Sequence, residues 1–252
     1  MNSLYVAWHT NDPPPVWGPV GRLDYDAPTG VYRFQYTHGA ESLHGFQPFD
    51  GMPNLDQVYE SSELFPLFKN RLLSKSRPEF PAYLTWSGFD PDDPPEPIVI
   101  LGRTEGLKQT DAVEVFPCPV PDRHGCYVNY FFAHGIRHHM PNAGPVLAQL
   151  HSGDRLQLRP HPQNPVDENA VAIFAHDTML GYVPRYLAAD VGRLIRECPE
   201  QEVRLFAHRV NRGAPMQQRL LCRLNACWPA DFQPCQGKAF EPISQNQSAA
   251  IY

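Results

Sequence analysis

Apolar and polar positions alternate over short stretches through the first half of the chain, and Pro and Gly break each stretch before it reaches helical length. Leu4-Tyr5-Val6-Ala7-Trp8 and Val31-Tyr32-Arg33-Phe34-Gln35-Tyr36 read as strands, and Gly18 to Gly30 is expected to hold the turns between them. Leu64, Phe65, Phe68, Leu72 and Leu73 share a helical face, so a helix from about Glu63 to Ser76 is predicted, with Pro66 tolerated in its first turn. A second helix is expected from Phe80 to Gly88. Asp90 to Pro97, with four acids and four prolines, is a rigid acidic loop. Pro97 to Leu101 is compatible with a strand or a short helix, and Ala112 to Phe116 reads as a strand.

Pro117-Cys118-Pro119-Val120-Pro121-Asp122 lacks backbone donors at three positions and reads as an extended connector, where a domain boundary is placed. Beyond it, Tyr127 to Gly135, Arg155 to Arg159, Ala170 to Phe174, Thr178 to Val183, Val203 to Val210 and Arg219 to Ala226 are six strand candidates. One helix interrupts them, from Arg185 to about Cys198, with Leu187, Val191, Leu194 and Ile195 at core spacing behind Pro184. Short strands with a single helix predict a small barrel. The fold class is therefore α+β and mostly β: a small N-terminal sheet with helices over residues 1–117, a barrel over 127–229, and a polar tail over 230–252 that orders only where Phe232 or Phe240 docks.

Composition narrows the function. No apolar run approaches the ~20 residues that span a bilayer, so no membrane association is expected. Met1 to Tyr5 leads straight into mixed sequence, without a basic segment and apolar run, so export is not expected either. The six cysteines form no CxxC pair, which argues for reduced thiols in a cytoplasm. Residues 127–229 hold eleven Arg, no Lys and eight acids, whereas residues 1–126 hold nine Lys or Arg against seventeen acids. Arginine favours forked hydrogen bonds to carboxylate or phosphate, although a surface that merely uses Arg has the same composition.

Two segments go beyond periodicity. Leu158-Arg159-Pro160-His161-Pro162-Gln163-Asn164-Pro165-Val166-Asp167-Glu168-Asn169-Ala170-Val171-Ala172-Ile173, followed by Leu180-Gly181-Tyr182-Val183-Pro184-Arg185-Tyr186-Leu187-Ala188, resembles a HIRAN domain. The resemblance implies an OB-like or SH3-like barrel that captures single-stranded DNA, notably a free 3′ end, without a cofactor or metal. Leu4 to Trp8, Pro19 to Leu23, Tyr32 to Tyr36 and Leu64 to Leu72 look like the N-terminal domain of HipA-type kinases, which implies regulatory and protein-partner contacts for residues 1–117. The sequence offers no phosphate-cradling glycine loop and no HRD-type base with a downstream Asn, so no kinase activity is expected.

Each candidate residue has a structural and a functional reading. Asn164-Pro165-Val166-Asp167 is a turn by chemistry alone; by resemblance, Asp167 with Asn164 accepts hydrogen bonds from a terminal sugar hydroxyl. Val166 stands where the resemblance implies an aromatic ring, which removes stacking there. By the same resemblance, Arg137 keeps a phosphate fork, while His138 and His139 stand where relatives carry aromatic rings; imidazoles still stack, and an unperturbed imidazole gains charge near pH 6.5. A solvent-exposed His pair, or a metal site with His134, are the other readings. Tyr182 either stacks on a base or plugs the barrel, Arg185 is a phosphate candidate at a helix start, and Phe206 is a groove aromatic or a core residue. The expected function is a non-enzymatic module for single-stranded DNA or another nucleic acid, accessory to repair or defence. The competing function is an architectural interaction subunit whose barrel no longer binds. Hydrolysis ranks third, because the acids collect in the proline-rich loop rather than around a metal.

Overall fold

A computed structural model describes residues 2–10, 16–108, 112–244 and 249–251. In chain order the elements are β1 (Asn2–Thr10), β2 (Val16–Asp26), β3 (Val31–Tyr36), α1 (Gly39–Ser42), β4 (Val58–Ser61), α2 (Pro66–Lys69), α3 (Phe80–Trp86), α4 (Pro97–Thr104) and β5 (Val113–Pro117). The second half adds β6 (Cys126–Phe132), α5 (Ile136–Gln149), β7 (Arg155–Pro160), β8 (Val171–Ala175), β9 (Thr178–Tyr182), α6 (Arg185–Glu197), β10 (Arg204–Val210), β11 (Leu220–Cys227) and β12 (Ala249–Ile251). No described helix is long and apolar enough to cross a membrane.

The chain is mostly β and divides into two compact units, neither continuous in sequence. One comprises Met1–Arg77, Pro95–Cys118 and Cys235–Tyr252; the other comprises Pro78–Pro94 and Pro119–Pro234. The predicted division into 1–117, 127–229 and 230–252 follows the chain, whereas contacts assign α3 to the barrel unit and the last residues to the first unit. Asn211 anchors the α3 segment, donating from Nδ2 to the carbonyls of Trp86 (2.9 Å) and Gln218 (2.8 Å). Phe232 is 2% exposed in the barrel core, beside Tyr127 and Trp228. Phe240 meets Tyr5 edge-on at 5.0 Å in the first unit.

The first unit is a six-stranded sheet in the order β12-β4-β3-β2-β1-β5, antiparallel except at β12–β4. Gly18 to Gly30 is not a run of turns: β2 occupies it through Asp26. The glycines serve close packing, since a Cβ at Gly21 would lie 2.6 Å from the buried Phe34 ring. The predicted helix over 63–76 shrinks to α2. Leu64, Phe65 and Phe68 are buried as the pattern requires, but Arg71 also turns inward, donating from Nη1 to the carbonyls of Gly106 (2.9 Å) and Val113 (3.2 Å). Satisfying those two carbonyls, one in a loop and one at the start of β5, competes with another helical turn.

The second unit is an antiparallel sheet in the order β6-β11-β10-β7-β8-β9. It closes where His134 and Tyr182 exchange backbone hydrogen bonds, each N–H donating to the other's carbonyl at 2.9 Å. Tyr127, Phe131, Ile173, Leu205 and Leu224 fill the interior, and Leu187, Val191 and Leu194 of α6 join the same core. The barrel unit does not have the single barrel helix predicted: α5 follows β6 directly. Its prolines, Pro141 and Pro145, hid it. A proline strips the hydrogen bond from the carbonyl four residues earlier, and here those carbonyls belong to the exposed Arg137 and Pro141, which water can reach. Ile136, Ala143 and Leu147 are buried and Met140 packs beside them, a helical period beneath the breakers. Reduced thiols are also not what the fold contains throughout, because Cys198 at the end of α6 is disulfide-bonded to Cys227 at the end of β11.

Asp190 of α6 is half-buried, and burial raises its carboxyl from 3.8 to about 6 although nearby Arg193 pulls the other way. A folded pKa above the unfolded one means stability present below pH 3.8 and lost as pH rises through about 6. Asp190→Asn should therefore add about 2 kcal/mol at pH 7 and little at pH 4. Urea unfolding at the two pH values checks this; equal gains at both would contradict it.

Candidate nucleic-acid interface

The barrel closure assembles the site. Gly135, at φ 70°, takes the left-handed conformation that turns the chain from β6 into α5, so Arg137, His138 and His139 emerge beside the end of β9. Gly181 permits this approach: a Cβ there would sit 2.4 Å from the His134 carbonyl oxygen. The half-buried Tyr182 ring then has His139 at 5.9 Å, tilted by 56°, and His161 at 5.9 Å with ring planes within 3°. His161 Nδ1 and Tyr182 Oη are 3.0 Å apart. The hydroxyl donates to a neutral Nδ1 and accepts from a protonated one. Arg137 is exposed and donates from Nε to His138 Nε2 at 3.2 Å. Burial, and then His138, lower the pKa of His139, so it is neutral near pH 7. Among the described residues, His134, His138 and His139 do not form a group that converges on one metal position.

The 161–170 loop leads away from that ring cluster. His161 N–H donates to Ala170 O at 2.7 Å, closing the loop's base. Asn164 Oδ1 accepts from the N–H groups of Val166 (2.9 Å) and Asp167 (3.2 Å), and Asp167 Oδ1 accepts from Asn169 N–H (2.9 Å). Both candidate side chains thus hold the turn, and among the described residues Oδ2 of Asp167 accepts no hydrogen bond. Val166, 60% exposed, forms the tip. His161 was not singled out by sequence reasoning, although it lies inside the quoted motif between two prolines. Its role depends on Tyr182, 21 residues away.

Arg185 opens α6 immediately after its Pro184 cap and is half-buried, three residues beyond Tyr182. Phe206 does not join this group. Leu205 and Ala207 point inward, so Phe206 faces out from β10, half-buried. Strand β10 is three strands from β9 in either direction around the closed order, which is the opposite wall. It is therefore neither an interior core residue nor a neighbour of Tyr182.

Residues 127–225 match the family model of the HIRAN domain. Two crystal structures are similar in part. The HIRAN domain of human HLTF is 12% identical, covering 42% of this chain and 84% of that one with a TM-score of 0.29. A protein from Lactobacillus plantarum is 21% identical, covering 40% of this chain and 97% of that one with a TM-score of 0.31. No curated protein matches. The match assigns residues 127–225 to the HIRAN domain and leaves residues 1–126 and 226–252 outside it. The likeness of residues 1–117 to HipA-type N-terminal domains gains no support from these comparisons.

Proposed function

We propose that the barrel binds single-stranded nucleic acid at the closure between α5 and β9, without catalysis, as an accessory subunit in DNA repair or in defence against phage or plasmids. The observation that carries this reading is Tyr182, framed by His139 and His161 with Arg137 alongside, in a domain of a DNA-binding family. Such rings offer a stacking surface to a base, and the guanidinium offers a fork to the adjacent phosphate. Asp167 Oδ2 is suited to accept a terminal 3′-hydroxyl and to repel a 3′-phosphate. Residues 1–117 attach the module to a protein partner.

Fluorescence anisotropy tests the reading with DNA single strands ending in 3′-hydroxyl or 3′-phosphate, duplex DNA, and RNA. Tyr182→Ala should weaken single strands about tenfold, and Arg137→Ala should lower the salt slope by about 0.7. Asp167→Asn keeps the turn acceptor and should narrow the preference for a 3′-hydroxyl. Affinity should rise as pH falls into the acidic range, because a bound phosphate favours protonated His139. In the free protein the sign is opposite: the lowered folded pKa means that stability present above the unfolded value is lost as pH falls. No binding of any strand would favour the architectural reading, which the exposed aliphatic tip at Val166 supports.

A further inference from the structure

The six barrel strands contain five arginines, at positions 155, 159, 204, 209 and 223, and no carboxylate. Two of the five, Arg155 and Arg223, are members of one cross-strand row that crosses the wall opposite Tyr182. Tyr130 of β6 pairs with Arg223 of β11, Arg223 with Phe206 of β10, and Phe206 with Arg155 of β7. Their neighbours along the strands, including Phe131, Cys222, Leu224, Leu205, Ala207 and Leu156, are buried, so the row faces outward. Directly paired side chains lie about 5 Å apart, so aromatic and guanidinium groups alternate along a continuous strip. Arg223 leans over the Tyr130 ring, with Cζ 5.8 Å from the centroid, and Arg155 is exposed.

The wall also has a recess. Strands β7 and β10 pair only at Leu156–Leu205 and Arg155–Phe206; from Gln157 onward β7 pairs with β8 instead. The seam opens into a cleft of about 460 Å³. Leu156, Leu158, Ile195, Val203 and Leu205 supply apolar lining, Arg155 and Arg159 bring positive charge, and Glu200 adds one carboxylate at the rim. Arg159 is held 4.1 Å over the Phe174 ring and 3.7 Å from Asp177, whereas the Arg155 side chain makes no hydrogen bond or ion pair among the described residues.

We propose that this outer wall is a second contact for the same single strand: a base enters the seam beside Phe206, and Arg155 and Arg223 hold flanking phosphates. A strip of one charge sign, with an apolar recess large enough for a base and stackable rings, matches the alternation of phosphate and base along a single strand. The inference rests on the reading that the barrel binds single strands at Tyr182, and strand length separates the two.

The test compares the full-length protein with strands of about 6 and about 20 nucleotides, the shorter within the span of one barrel site. Phe206→Ala should weaken the long strand about tenfold and leave the short one unchanged, whereas Tyr182→Ala should weaken both. Arg155→Ala should lower the salt slope by about 0.7 for the long strand alone. Phe206→Leu, which keeps aliphatic packing, should reproduce the alanine effect, and circular dichroism should show both variants folded. If Phe206 and Arg155 variants bind long strands like the parent while Tyr182→Ala does not, the second contact is wrong and the first site stands. Equal weakening of short and long strands by Phe206→Ala overturns it as well. If the parent protein binds neither length, both readings fall.

Discussion

Replacing Gly181 with alanine is expected to cost about 3–5 kcal/mol and to remove single-strand binding with it. A Cβ at this position meets the His134 carbonyl oxygen at 2.4 Å. That partner is backbone, already fixed by two hydrogen bonds to Tyr182, so no rotamer change relieves the clash. Relief requires His134 and Tyr182 to separate, which opens the barrel and moves Tyr182 away from His139. Overpacking accounts for about 1–3 kcal/mol and the two lost hydrogen bonds for about 1 kcal/mol each. Gly213→Ala is the control, since nothing lies within 4 Å of a Cβ there. Urea unfolding of both variants gives the comparison, and a Gly181→Ala protein within 1 kcal/mol of the parent would remove the assigned reason for this glycine.

The second large effect concerns the Cys198–Cys227 bond. It closes a loop with a sequence separation of 29 residues, and a link of that span restricts the unfolded chain by about 3–4 kcal/mol. It ties the end of α6 to the end of β11, beside Trp228 and the buried Phe232. The double variant Cys198→Ala and Cys227→Ala should lower unfolding stability by that amount, and reductant should bring the parent close to the variant. A reductant-insensitive midpoint would mean that the two thiols are not joined in solution. Cys222 provides an internal contrast: it is fully buried in the barrel, and burial pushes its thiol pKa upward, so it should react slowly with thiol reagents until the barrel unfolds.

Hydrophobic pattern was enough to locate all six barrel strands and α6: most strands and the helix show the period of one buried face, and β8 shows a short continuous apolar run, Val171 to Ala175. The turn chemistry of Asn164 to Asn169 was equally legible, since those hydrogen bonds span two or three residues. Helix α5 was not legible: prolines are read as breakers, and only the solvent exposure of Arg137 and Pro141 makes Pro141 and Pro145 tolerable. The glycines within β2 misled in the same way, because their purpose is contact with Phe34 and other chain segments rather than turning. The candidate site divided along this line. Arg137, His138, His139, Asn164, Asp167, Tyr182 and Arg185 were named from local motifs, but His161 became a member only through Tyr182, and Phe206 moved to the opposite wall once strand order was known. Local pattern was sufficient for the positions of the barrel strands and for the turn held by Asn164 and Asp167, but not for the inward turn of Arg71 or the outward face of Phe206. Barrel closure at His134 and Tyr182, the disulfide, and the separation of two aromatic surfaces were decided only by the tertiary structure, because contacts between residues far apart along the chain leave no period in either segment.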